Sequence, residues 1–295
     1  MIKIDDSFEP HVGGSPLNIA VGVARLGGHV SYITKFSYDF FGEMLKETLG
    51  NEGIDISLSI TDYDLHTTLA FAFVDEKKVP KFAIWNRSTA DSALSYDDLS
   101  KVKTDEFDAF HFGSILFATP AADHILKFMK DVKNRQKYIF FDPNYRSHIA
   151  KDENKYKADL LKGWKISNLV KCSMEDAKSI FDLDDFENIV EVVKFIGVKT
   201  VITDGENGAY VISKAINHIP AIHVEVVDTT GCGDAFMAGL IYEFSKENFF
   251  DEESTLISSA RFGSVTAGMA AQKIGAITSF PRLEDVKKFL SLKEV

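Results

Sequence analysis

The chain has 295 residues, 45% hydrophobic and 26% charged, enough to bury a large core in one or two domains. A formal charge of -11 argues against nucleic acid or an anionic membrane as the main partner, since both call for basic surface. No apolar run reaches membrane-spanning length, and acidic residues stand where a secretory leader would be basic and then apolar. Two cysteines, Cys172 and Cys232, are too few for a disulfide framework and lack metal-ligand spacing, so a reducing, cytoplasmic setting is expected.

In chain order, Gly13-Gly14-Ser15-Pro16-Leu17-Asn18 comes first, followed by apolar residues at helical spacing and the stop Gly27-Gly28. The glycines can bare backbone N–H groups, and Asn18 offers a donor and an acceptor. The turn therefore reads either as a plain helix start or as a site for polyol hydroxyls. Residues 30–36 read as a buried strand and 41–53 as a helix, making one β-α unit. From residue 56 the pattern changes. Residues 67–74 and 81–85 read as strands joined by the charged turn Asp75-Glu76-Lys77-Lys78, a β-hairpin inserted at about 56–90. With Arg87 at its edge, the hairpin is either decoration or a lid over a hydroxylated or anionic ligand.

Regular alternation follows, with strands predicted over 109–113, 138–142, 168–172 and 200–203 and helices over 119–134 and 154–162. Asp142-Pro143-Asn144-Tyr145-Arg146 lies past the carboxyl end of its strand, where open parallel sheets place ligands. Pro143 alone would be only a strand breaker, but Asp142, Asn144 and Arg146 exceed that need. Ser173, Glu175 and Asp176 reach the same edge, where first-turn carboxylates either meet the helix dipole or hold Mg2+ through water. Thr203, Gly205 and Gly208 suit a phosphate cradle or a plain turn between strands.

A strand over 218–226 is expected to lead into Val227-Asp228-Thr229-Thr230-Gly231-Cys232-Gly233-Asp234-Ala235-Phe236. Helices follow over 234–244, 253–272 and 283–290, with Gly275 to Ser279 as a loop. The glycines let N–H groups converge beside a helix N-terminus, the makings of an anion site. Taken alone, Asp234 reads first as a helix cap. Repeated β-α units predict a single α/β domain over 1–295, a doubly wound, mostly parallel sheet with helices on both faces.

These motifs, in this order, resemble the PfkB, or ribokinase-like, carbohydrate kinases over nearly the whole chain, and fructokinases and 2-keto-3-deoxygluconate kinases most of all. The resemblance rests on Gly13-Gly14-x-x-x-Asn18, Asp142-Pro143-Asn144-Tyr145-Arg146, Thr203-x-Gly205-x-x-Gly208 and above all Asp228 to Asp234. It implies transfer of the γ-phosphoryl group of ATP to a sugar hydroxyl, with Mg2+ and a K+-type cation as cofactors. Asp234 matches the general base, and the N–H groups of Gly231, Cys232 and Gly233 match the anion hole. Gly13, Gly14, Asn18, Arg87, Asn144 and Arg146 would meet the sugar. Ser173, Asp176, Thr203, Gly205 and Gly208 would meet the nucleotide phosphates, and Asp228, Thr230, Gly275 and Ser279 a monovalent-cation loop. Cys232 replaces a frequent alanine, and Ser173 and Asp176 depart from the family's Asn-x-x-Glu pattern. Lids of relatives often pair, implying a homodimer.

Members usually begin with a strand of the Gly-Glu-x-x-x-Asp kind, whose aspartate would fall at or just before Met1. The expectation is a chain that starts after this strand, leaving two sheet edges open, with Asp5 and Asp6 as poor substitutes. Two other functions stay open: a non-catalytic sugar- or nucleotide-binding relative, and a dinucleotide-dependent oxidoreductase, whose GxGxxG fingerprint is missing.

Overall fold

Four of the six main-sheet strands, Ala109–Gly113, Tyr138–Asp142, Lys199–Thr203 and Ile216–Ile219, end at or just before Gly, Asp or Pro. In Tyr138-Ile139-Phe140-Phe141-Asp142 every residue is buried, as a strand covered on both faces requires. The computed structural model describes residues 2–4, 7–74, 80–249 and 252–293. Asp5, Asp6 and the turn Asp75 to Lys78 lie outside the described residues.

The first half runs β1 (Ile2–Ile4), β2 (Ser7–Glu9), α1 (Ser15–Arg25), β3 (Lys35–Ser37), α2 (Phe40–Asn51), β4 (Ile60–Asp62), β5 (Leu69–Val74), β6 (Pro80–Trp85), α3 (Tyr96–Leu99), β7 (Ala109–Gly113) and α4 (Ala121–Asn134). It continues with β8 (Tyr138–Asp142), α5 (Glu153–Ile166), β9 (Leu169–Ser173), α6 (Met174–Phe181), α7 (Phe186–Ile196), β10 (Lys199–Thr203), β11 (Ala209–Ile212), β12 (Ile216–Ile219), α8 (Cys232–Lys246), α9 (Glu253–Ala270) and α10 (Leu283–Lys293).

The main sheet has six strands in the order β12-β11-β10-β9-β8-β7. β7 to β10 are parallel, and β11 and β12 are antiparallel additions at one side. Helices cover both faces. Ile139, Phe141, Val170 and Cys172 pack with α4, α5, α6 and α7, while Phe140, Leu169 and Val201 pack with α1, α8 and α9. Successive residues of one strand thus feed opposite cores. Among the described residues no helix is long and apolar enough to cross a membrane.

Three expectations need correction. The strand expected over 30–36 is mostly extended coil, because only Lys35–Ser37 finds a partner, β4, with an isolated bridge from Ser31 to Asp55. The strand expected over 218–226 stops at Ile219, since Pro220 has no N–H to continue the ladder. The predicted hairpin belongs to a four-stranded sheet, β2-β1-β5-β6, that adds the first residues of the chain to it, while β4, inside the predicted lid range, joins β3 instead.

Candidate active site

Helix α1 starts on Gly14, whose φ of +119° suits glycine and turns the chain into the helix. A Cβ on Gly22 would lie 2.5 Å from Ala238 Cβ, so α1 and α8 run in close contact because glycine is there. This crossing brings one face of α1 to the first turn of α8. Ser15 Oγ donates to Asp234 Oδ1 at 2.7 Å, and Asn18 Nδ2 donates to Asp234 Oδ2 at 2.8 Å. Burial pushes the Asp234 carboxyl up to about 6, against the pull of these two hydrogen bonds. Asn18 Oδ1 is buried with no partner, an acceptor open to a ligand hydroxyl. The sequence reading named Asn18 but missed Ser15. The available signal was spacing, since residues three apart share a helix face.

Helix α8 begins on Gly231 at φ +79°, without a side-chain cap. A Cβ there would meet Ala276 Cα at 2.9 Å and Phe280 Cε1 at 3.1 Å. Asp234 is the third residue of the helix, and its carboxylate turns away from its own backbone towards α1, so the capping role is not realised. Cys232 N–H closes the turn onto Thr229 O at 3.2 Å. That leaves Gly231 and Gly233 as candidate anion-hole donors, backed by the positive end of the helix.

The loop behind this turn is tied by Asp228. Its Oδ1 accepts from Thr230 N and its Oδ2 from Gly275 N, both at 2.9 Å. Burial opposes ionisation of Asp228, but those N–H groups outweigh it and hold the carboxyl below its ordinary value. Asp228, Thr230 and Gly275 are therefore brought together, whereas Ser279 Oγ donates to Ala276 O at 2.7 Å. The anionic carboxylate and the loop carbonyls are a donor set that suits a monovalent cation.

At the sheet edge, Asp142 is fully buried. Its Oδ1 accepts from Asn144 N at 3.1 Å, and its Oδ2 lies 3.0 Å from Lys171 Nζ. Asn144 bends the loop with φ +41°. Ser173 and Asp176 form a complete capping box at the start of α6, and Asp176 Oδ1 also accepts from Tyr145 N at 3.1 Å. Both Asp176 oxygens accept hydrogen bonds, so these two residues hold α6 and the 142–146 loop together. Arg146 donates to Tyr145 O at 2.7 Å, with its side chain 47% exposed.

Thr203 Oγ1 donates to Cys172 O at 3.3 Å. Gly208, at φ +89°, passes so close to β12 that a Cβ would collide with Ile219 O, whereas Gly205 faces open space. Gly13 and Arg87 are exposed and stand apart from the hydrogen bonds of Asp234. Among the described residues no cluster of three His, Cys, Asp or Glu side chains is placed to hold a metal ion, so a divalent ion here would depend on ligands from the nucleotide.

The sequence pattern of the pfkB family carbohydrate kinases matches residues 2–283. The chain belongs to this family. Among relatives of this PfkB kinase, fructokinase-2 of Oryza sativa subsp. japonica is 29% identical over 285 residues, 95% of this chain and 84% of that protein. An uncharacterised sugar kinase of Pyrococcus horikoshii is 32% identical over 291 residues, 98% of this chain and 89% of that one. A crystal structure of fructokinase from Vibrio cholerae O395, bound to fructose, ADP and calcium, superposes with a TM-score of 0.87 at 25% identity, covering 94% of this chain and 91% of that chain. The PfkB kinase has the ribokinase-like fold, and it is an enzyme that phosphorylates a carbohydrate.

Proposed function

We propose that this PfkB kinase transfers the γ-phosphoryl group of ATP to a hydroxyl of a ketose such as fructose, with Asp234 as general base. The observation that carries this reading is the Asp234 carboxylate, aimed by Ser15 and Asn18 across the uncapped first turn of α8. A carboxyl at about 6 is ionised at neutral pH, yet basic enough to take the proton of an attacking hydroxyl. The free Oδ1 of Asn18 accepts from a sugar hydroxyl and fixes its orientation. The N–H groups of Gly231 and Gly233 face the charge that develops on the phosphoryl oxygens. A Mg2+ ion bound with the nucleotide would neutralise charge on the phosphates. Asp228, Thr230, Gly275 and Ser279 would hold a K+ ion, which would steady the turn from behind. The fructokinase relatives from Oryza sativa and Vibrio cholerae support the ketose, and the ADP of the latter supports the nucleotide.

One observation favours a second substrate, a keto-acid sugar of the 2-keto-3-deoxygluconate kind. Arg146 has a half-exposed guanidinium at the sheet edge, where it can meet a substrate carboxylate. A coupled ADP-release assay over a panel of neutral ketoses and keto-acid sugars separates the two, with fructose expected to stimulate ADP release. An enzyme that no sugar stimulates would overturn the reading in favour of a binding protein. If a keto acid is used, Arg146→Ala should weaken it at least tenfold more than a ketose. The lid sheet, with Trp85 60% exposed, supports pairing of two copies, which light scattering tests.

A further inference from the structure

A lysine in the middle of a parallel sheet calls for a reason. β9 reads Leu169-Val170-Lys171-Cys172-Ser173, and Lys171 is buried with the rest of the strand core. Leu169 faces the core under α8 and α9, so Lys171, two residues on, points the same way. Its Nζ lies 3.0 Å from Asp142 Oδ2, with the two side chains only 6% and 1% exposed. A Cβ on Gly233 would also lie 3.0 Å from that Nζ, so the ammonium rests against the first turn of α8, one residue before Asp234. Buried ion pairs are weak contributors to stability, and well-packed apolar residues often replace them without loss. The position of this one suggests another use.

We propose that the buried Lys171–Asp142 pair is a positioning device for the reaction, a fixed dipole beneath the first turn of α8 that governs the ionisation of Asp234 from behind. This rests on Asp234 being the general base. The charged and titratable groups around the pair come from four elements: His111 on β7, Asp142 on β8, Asp176 on α6 and Asp234 on α8, with Arg146 at the loop. Burial holds His111 down at about 4, so it is neutral in the working range. Burial also works against the charge on Lys171, but the Asp142 carboxylate outweighs it and the lysine stays protonated. The two ends act on Asp234 with opposite signs: Asp142 favours its protonated form and Lys171 its ionised form. Gly233 permits the close approach, because any side chain there would displace the ammonium.

The test compares Lys171→Met with Asp142→Asn, which break the same ion pair. The acid limb of kcat/KM should move about one pH unit higher in Lys171→Met and to lower pH in Asp142→Asn. A purely structural role predicts that both variants lose stability and rate together, with the limb unmoved or moved in one direction, and that result would overturn the proposal. Lys171→Arg, which keeps the charge, should leave the limb in place and guards against a methionine variant that does not fold. The titration of Asp234 is also read without turnover, from the carboxyl resonances of isotope-labelled aspartate. Absence of sugar-stimulated ADP release in the unaltered enzyme would count against the proposed function, while resonances shifting the same way in both variants would count against the dipole.

Discussion

Helices α6 and α8 both begin near the same sheet edge, and both have an aspartate as third residue, Asp176 and Asp234. In α6 the N-cap is Ser173 at φ -80°, its Oγ accepts from Asp176 N at 3.0 Å, and Asp176 Oδ2 accepts from Ser173 N at 3.2 Å. In α8 the N-cap is Gly231 at φ +79°, with no side chain to offer, and Asp234 reaches across to Ser15 and Asn18. Burial pushes both carboxyls up. What differs is the N-cap residue. A serine closes the helix start on itself, and a left-handed glycine leaves its N–H groups and its aspartate to be used by something else. The same residue at the same helical position braces its own helix start in one case and reaches across to a neighbouring helix in the other.

The sharpest way to break that comparison is Asp234→Asn. Turnover should fall by about 10² to 10⁴, the usual worth of a positioned base, with nucleotide affinity retained. Stability should move the other way. The native carboxyl titrates at about 6 against an ordinary 3.8, so the folded state binds the proton more tightly, and stability is lost as pH rises from about 4 to 6. At neutral pH the ionised carboxylate therefore costs the fold about 3 kcal/mol. Asparagine removes that cost, and Asn18 can turn its amide so that its free Oδ1 meets the new NH2. Calorimetry should find a higher Tm than the unaltered enzyme at pH 7 and little gain at pH 4. A lower Tm at pH 7 would restore Asp234 to the class of Asp176.

Gly231→Ala comes next. An alanine at φ +79° is strained by about 1 kcal/mol, and its methyl group would press on Ala276 and Phe280. A displaced donor at this turn should lower kcat by about 10², since fixed donors to developing charge contribute that much. Equal turnover with a lower Tm would mean that the glycine serves packing alone.

Much of this was legible in the sequence where local rules decide. Strands β7 and β8 match their predicted bounds because apolar runs end at Gly or Asp. The same rules misled at 218–226, where alternating apolar residues looked like a strand but Pro220 lacks an N–H and Val226 is 60% exposed. Three-residue strands such as β1 and β2 are too short to carry a period. In the site, the glycines and Asp234 were legible because turn chemistry is local. Ser15 and Lys171 were not: one sits inside a turn motif and the other inside a predicted strand, and nothing local singles either out. Their partners, Asp234 and Asp142, lie far away in sequence.

The smallest expected effect on catalysis, and the finest test of the comparison, comes from Ser173→Ala. The serine completes one reciprocal cap, and such a loss costs about 1 kcal/mol. Asp176 would keep its bond from Tyr145 N, so the 142–146 loop should hold its shape. The expected outcome is a Tm lower by a few degrees, kcat within several-fold of the unaltered enzyme, and an unchanged nucleotide KM. The family resemblance implied a different role, with Ser173 at the nucleotide phosphates, and that role predicts the opposite division. A nucleotide KM raised tenfold with little change in Tm would place the serine hydroxyl on a phosphate oxygen, and the start of α6 would then belong with the start of α8.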